Sequence, residues 1–240
     1  METKKGKKQM LEKIISLLTG ETELPTKPKP IKLYKKMAPS VVFIQKLSTD
    51  GKFSYGSGFV FCESGVIVTC AHVVYQGTGI LVEFSDGKVY SATIRNIDEG
   101  RDLAYLTLDA IPIDFKVTPV IFRDTKAFKD EFAIGMKVYA LGHPFKFKYS
   151  WTEGVISQLR PSVTNPFSTV PYIINDAIQT DASLNPGNSG CPVFDNQGRL
   201  IGIASMIAGA KTYTGVSFLI PAHRIQEFMD NKPLSEPIYV

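Results

Sequence analysis

The chain has 240 residues, 44% of them hydrophobic and 21% charged, with a formal net charge of +4. That composition excludes a disordered or fibrous chain, and the length suits one large all-β domain or two small ones. No run approaches the roughly 18 apolar residues that a membrane-spanning helix needs.

Residues 1–37 hold ten Lys and Arg against four Asp and Glu, which leaves 17 against 19 in the rest, so the basicity is a tail on a nearly neutral body. A basic tail attracts nucleic acid, anionic membrane or acidic protein without specificity; a solubilising terminus is the plainer reading. Aromatic residues are not interleaved with the early lysines, which argues against a single-strand nucleic-acid platform and against a specific nucleic-acid partner. Met10, Leu11, Ile14, Ile15, Leu17 and Leu18 fall at helical spacing, with Gly20 placed to end the helix. Such a helix packs on the body, meets a partner or touches a membrane surface, and packing is the first choice. Glu12, Lys13 and Ser16 interrupt the run as a signal-peptide core, and Glu2, Glu12, Glu21 and Glu23 fit an acid-poor presequence badly. The expectation is therefore an intracellular, cytoplasmic protein. Pro25, Pro28 and Pro30 mark an extended linker, so residues 1–32 read as a basic amphipathic segment and a Pro-rich linker.

From Val41 the chain reads as short apolar runs between turn residues: Val41–Gln45, Gly58–Phe61, Val66–Thr69, Ile80–Phe84, Ala104–Leu108, Val138–Leu141 and Leu200–Ala204. Many short strands without helical periods between them predict an all-β sandwich or barrel. Pro221–Met229, with Ile225 and Phe228 on one side, predicts a terminal helix, followed by a tail at 231–240.

The strongest local signal is Asn185-Pro186-Gly187-Asn188-Ser189-Gly190-Cys191-Pro192, a serine flanked by glycines and turn residues. Glycine permits a backbone twist that aims the Gly187, Asn188 and Ser189 amides at one spot, where they can hold the oxyanion of an acyl-transfer intermediate. A serine needs a base. Of His72, His143 and His223, only His72 directly follows an apolar strand; His143 in a turn and His223 on the terminal helix read as structural or surface residues. The base in turn needs a carboxylate, and Asp102 stands on the lip of an apolar strand. The three cysteines, Cys62, Cys70 and Cys191, are an odd number with no zinc-motif spacing, as in a reducing compartment. Cys70 and Cys191 each lie two residues from a candidate catalytic residue; they read as buried thiols, with a redox switch as the alternative.

Gly56-Ser57-Gly58-Phe59-Val60, Val68-Thr69-Cys70-Ala71-His72-Val73-Val74, Arg101-Asp102-Leu103-Ala104 and Gln179-Thr180-Asp181-Ala182-Ser183-Leu184-Asn185-Pro186-Gly187-Asn188-Ser189-Gly190 resemble, in order, the trypsin-like Deg (high-temperature-requirement A) serine peptidases. Ala38–Val42, Gly154–Ser157 and Gly215–Pro221 extend the resemblance over roughly residues 33–229. It implies two six-stranded β-barrels of the chymotrypsin type with short terminal helices, in a domain at 33–230. The first barrel would span about 33–125 and the second about 130–230, with the boundary near 123–133. It implies a serine endopeptidase with His72, Asp102 and Ser189 as the triad in the cleft between the barrels, without metal or cofactor. The alternative is a catalytically latent module that keeps the fold for binding or chaperoning. Polypeptide substrates and a homotrimer are implied as partners. Most of these peptidases carry PDZ modules after the protease domain; with only 231–240 beyond the expected terminal helix, the expectation is a protease domain without PDZ.

Departures from the family pattern are Cys191 for glycine, His143 for asparagine, and Ser217 and Leu219 for smaller residues. Ser183 stands where digestive relatives that cut after Lys or Arg carry an acid. With Ile203, Ala204, Ser205 and Ser217 as further pocket residues, the expectation is small or medium aliphatic side chains. Asn188 replaces the aspartate that pairs with a newly cut amino terminus, so the oxyanion loop would be ordered in another way, such as oligomerisation or a ligand.

Overall fold

The computed structural model of the chain describes residues 30–112, 115–123, 132–165, 171–207 and 215–230. The amphipathic run at 10–18, residues 124–131 of the expected barrel boundary and the tail at 231–240 lie outside them. Pro30, read as linker, instead opens a helix, Pro30–Met37. A proline fits a first turn because its missing N–H would have no intrahelical partner. Leu33 and Met37, four residues apart, are buried together against the turn at Gly198, and the lysines between them face outward.

Six strands close the first barrel: β1 (Val41–Ser48), β2 (Phe53–Val60), β3 (Ile67–Thr69), β4 (Gly77–Glu83), β5 (Val89–Asp98) and β6 (Leu103–Leu108), in ring order β1-β2-β3-β6-β5-β4. Ile44, Phe59, Ile67, Val82 and Leu106 fill it without exposure. Closing the ring removes the unpaired edges that an open sheet would present. A two-residue strand, β7 (Ile121–Phe122), leads toward the second barrel and pairs in parallel with the strand at Arg199.

The second barrel uses β8 (Lys137–Gly142), β9 (Ser150–Leu159), β12 (Ile178–Thr180), β13 (Pro192–Phe194), β14 (Arg199–Ile207) and β15 (Ser217–Pro221). Its order is β13-β8-β9-β12-β15-β14, closed by pairing of β13 with β14. Val138, Ile156, Ile178, Val193, Ile201 and Leu219 form its core. Between β9 and β12 the chain makes a separate antiparallel hairpin, β10 (Ser162–Asn165) and β11 (Tyr172–Asn175). The all-β architecture of two six-stranded barrels is the one the resemblance implies. The seven apolar runs all overlap strands, whereas β5, β7, β9 to β13 and β15 are not among them.

The terminal helix, Ala222–Asp230, buries Ile225, Phe228 and Met229. Phe228 packs edge-on to Tyr105 of β6, at 6.1 Å between ring centroids, and under the Arg101 guanidinium at 5.6 Å. A helix that follows the second barrel thus braces the first-barrel strand that begins just after Asp102. No described helix is long and apolar enough to cross a membrane.

Candidate active site

His72 lies in a single helical turn, Ala71–Val74, directly after β3. Its Nδ1 is 2.8 Å from Asp102 Oδ1 and 2.9 Å from Oδ2, and its backbone N–H donates to Oδ1 at 3.0 Å. Asp102 adopts φ +55°, a left-handed conformation that aspartate tolerates better than most side chains. That turn points the carboxyl group back under the imidazole. The Asp102 side chain is 1% exposed and the His72 side chain 33%, so the acid is sealed and the base reaches solvent. A third donor, Ser205 Oγ, stands 2.5 Å from Asp102 Oδ2. Ser205, expected in the substrate pocket, turns its hydroxyl to the carboxylate.

The Ser189 segment is held against the His72 segment by its neighbours. Gly190 N donates to Ala204 O at 2.7 Å, and Ala204 N donates to Cys191 O at 3.0 Å. At Gly190, φ +82°, an added Cβ would collide with Ser57 O and Thr69 Oγ1 and stand 3.2 Å from Cys70 N, so only glycine fits. Ser57 N donates to Ser189 O at 2.9 Å. Among the described residues Ser189 Oγ makes no hydrogen bond, to His72 or to any other group.

Phe145 N donates to Pro186 O at 2.8 Å. Because a peptide unit is planar and trans, fixing that carbonyl turns the Gly187 N–H to the opposite side. Neither Gly187 N nor Ser189 N donates to a protein acceptor among the described residues. Asn188 N, expected as a third oxyanion donor, is committed to Asn185 O at 2.9 Å, and the residue is 3% exposed. The turn that presents the two flanking amides consumes the middle one.

His143 is buried rather than superficial. Ser57 Oγ donates its one proton to Gly187 O at 2.7 Å, so the 3.1 Å contact with His143 Nδ1 requires the imidazole to donate. His143 N donates to the same oxygen at 3.2 Å. The ring is thereby fixed as the Nδ1–H tautomer and props the Gly187 loop through Ser57. Burial, and then the Lys148 charge, lower its pKa from the ordinary 6.5 to about 3. His223 sits half-buried beside Asp176, with Nε2 at 3.4 Å from the carboxylate. No local signal in the sequence marks Ser57, His143 or Ser205 for these roles; each acts through contacts at least 86 residues away along the chain.

Of the remaining pocket candidates, Ser183 is exposed while Ile203, Ala204 and Ser217 are buried. A cleft of about 160 Å³ opens beside His72 and Asp102, walled by Ala71, Tyr75, Tyr172 and Lys46. All three cysteines are free. Burial, joined by the Asp102 charge, pushes the Cys70 thiol well above its usual range, and burial pushes Cys191 up to about 12. Cys70, His72 and Asp102 bring metal-ligating atoms within 4.8 Å of one another. Yet Cys70 Sγ already donates to Ala204 O at 3.3 Å, and the other two are bonded to each other, so a cation would have to break the dyad.

Two closed barrels with a buried aspartate behind a half-exposed histidine, and a glycine-held serine loop beside them, define a chymotrypsin-type two-barrel architecture. The chain belongs to the trypsin-like peptidases: the family described as "Trypsin-like peptidase domain" matches residues 56–203. It is similar to "Protease Do-like 1, chloroplastic" of Arabidopsis thaliana, 35% identical over 213 residues, covering 83% of this chain and 46% of that protein. "Serine protease HTRA1B" of Danio rerio is 35% identical over 203 residues, covering 81% of this chain and 39% of that protein. "Probable periplasmic serine endoprotease DegP-like" of Halomonas elongata is 38% identical over 174 residues, covering 72% and 34%. The chain therefore spans less than half the length of these relatives. Among solved structures, "HtrA-type protease AlgW with tripeptide" superposes with a TM-score of 0.71 at 29% identity, covering 85% of this chain and 63% of that one. The Deg/HtrA resemblance is shown by these matches.

Proposed function

We propose that the chain is a serine endopeptidase acting on polypeptides, with Ser189 as nucleophile, His72 as general base and Asp102 as its orienting carboxylate. The observation that carries this reading is the His72 Nδ1–Asp102 contact at 2.8 Å beside two uncommitted amides, Gly187 N and Ser189 N. With Nδ1–H directed to Asp102, Nε2 carries the lone pair and takes the Ser189 proton as Oγ attacks the scissile carbonyl. The two amides receive the oxyanion, and the protonated imidazole then passes its proton to the leaving amine. A water activated by the same nitrogen hydrolyses the acyl-enzyme.

A pocket for small or medium aliphatic side chains rests on the family resemblance at Ile203 and Ala204, whose own side chains are packed in the core clusters here. Assembly as a homotrimer, suggested by the family resemblance, belongs to the same proposal. The test is hydrolysis of casein by the wild type and by Ser189→Ala. Loss of Ser189 should lower turnover by several orders of magnitude with the fold retained, since triad members work as a unit. A folded wild type that leaves casein intact, with or without trimer formation, overturns the reading in favour of a latent binding module.

A further inference from the structure

The carboxylate of Asp102 is gripped from behind by a chain of side chains that starts in the β10–β11 hairpin. Ser205 Oγ lies 2.5 Å from Asp102 Oδ2 and 2.9 Å from Tyr172 OH, and Asn165 Nδ2 lies 3.0 Å from the same phenol oxygen. The direction of each bond follows from proton counting. A carboxylate only accepts, so the single Ser205 proton goes to Oδ2. The Ser205–Tyr172 contact then requires the phenol to donate, and the Asn165 amide donates to the phenol oxygen. Burial, with the Asp102 charge next, raises the Tyr172 pKa, which keeps the phenol protonated and therefore a donor. Every bond from Asn165 to Asp102 points the same way, an arrangement in which each polarises the next.

The hairpin holds the dyad at two further points. The Tyr172 ring is parallel to the His72 imidazole within 6°, with centroids 6.3 Å apart, and walls the cleft beside it. Ile173 N donates to Gly100 O at 3.2 Å, in the loop that turns into Asp102. Tyr172 itself is 3% exposed. A side chain needed only to fill this space would be served by phenylalanine, without a hydroxyl that must be satisfied on both sides.

Resting on the endopeptidase reading, we infer that Tyr172 is a positioning residue for the His72–Asp102 pair, acting through Ser205, with Asn165 orienting its phenol. The relay stops the Ser205 hydroxyl from rotating, and Ser205 stops the carboxylate from turning away from the imidazole. The dyad of the first barrel is in this way set by a hairpin that branches from the second.

Tyr172→Phe tests this because it keeps the ring and removes only the hydroxyl. Steady-state cleavage of a chromogenic peptide should show kcat about fivefold lower, the equivalent of roughly one net hydrogen bond, with KM unchanged. Tyr172→Ala, which also removes the cleft wall, should lower kcat further and raise KM. Proton NMR of the same proteins supplies a readout independent of turnover: the His72 Nδ1 proton should exchange with water faster in Tyr172→Phe. Wild-type kcat together with wild-type Nδ1 exchange in that variant overturns the inference. So does a fall in kcat that only tracks a lower folded fraction while the proton is unchanged. If the wild type cleaves nothing, the endopeptidase reading fails, and the exchange of the Nδ1 proton still decides whether Tyr172 orders the dyad.

Discussion

Replacing Gly187 by alanine places a methyl group in space that backbone already fills. The residue has φ +101°, and an added Cβ would collide with His143 O and stand 3.1 Å from Phe145 N. Both atoms belong to the strut that holds Pro186 O, so relief must come from turning the Pro186–Gly187 peptide, which withdraws Gly187 N from the oxyanion. Loss of one such donor lowers kcat by roughly 10²–10³. The left-handed backbone adds a stability loss of about 1–3 kcal/mol, at roughly 2–4 °C of thermal midpoint per kcal/mol for a chain of this size. The assay is kcat and KM on a peptide with an aliphatic residue before the scissile bond, beside a thermal melt. The account expects kcat to fall by two to three orders of magnitude with KM within about threefold. A variant with a lowered melting point and near wild-type kcat would refute the assignment of Gly187 N as a donor.

Asp195 is 1% exposed and accepts from Arg123 Nη1 at 3.1 Å, Arg199 Nε at 2.7 Å and the amides of Gln197 and Arg199. Asp195→Ala leaves two guanidinium groups facing a gap and should lower the unfolding free energy by about 3 kcal/mol in urea titrations, with kcat of the remaining folded enzyme little changed. Stability should also fall as pH drops from about 6.5 toward 3. His143 has its folded pKa depressed to about 3, and His223 is lowered by burial and then by the Arg224 charge. Below pH 6.5 the unfolded chain binds protons that the folded chain refuses, so the stabilisation is complete above the ordinary histidine value and lost on acidification. Urea midpoints between pH 7 and 4 should show this slope, and His143→Asn should flatten it; an unchanged slope would mean that His143 titrates normally in the fold.

Strands β1, β3, β6, β8 and β14 are legible in the sequence because they bury continuous apolar runs. Strand β5 is not: its ten residues are mostly half-exposed or exposed, and it is held by pairing to β4 and β6 rather than by its own pattern. Pro30–Met37 escapes because prolines around a short basic stretch look like linker until Leu33 and Met37 find the turn at Gly198. His72 and Asp102 can be named from the order of short motifs, since each sits beside an apolar strand that fixes it. The residues behind them cannot. Ser205 reaches Asp102 across 103 residues of chain and Tyr172 reaches Ser205 across 33, and an ordinary serine or tyrosine carries no local mark of such a contact. His143 looks like a turn residue because much of its burial comes from Phe43 and Ser57, both brought in by the fold from the first barrel.

The most direct test of the account is reaction of the native chain with a fluorophosphonate, followed by mass spectrometry of the labelled peptide. The account predicts a single stoichiometric adduct on Ser189 that is lost in Ser189→Ala and slowed by orders of magnitude in His72→Ala. Absence of an adduct on a folded wild-type chain, or an adduct at another residue that persists in Ser189→Ala, would contradict it.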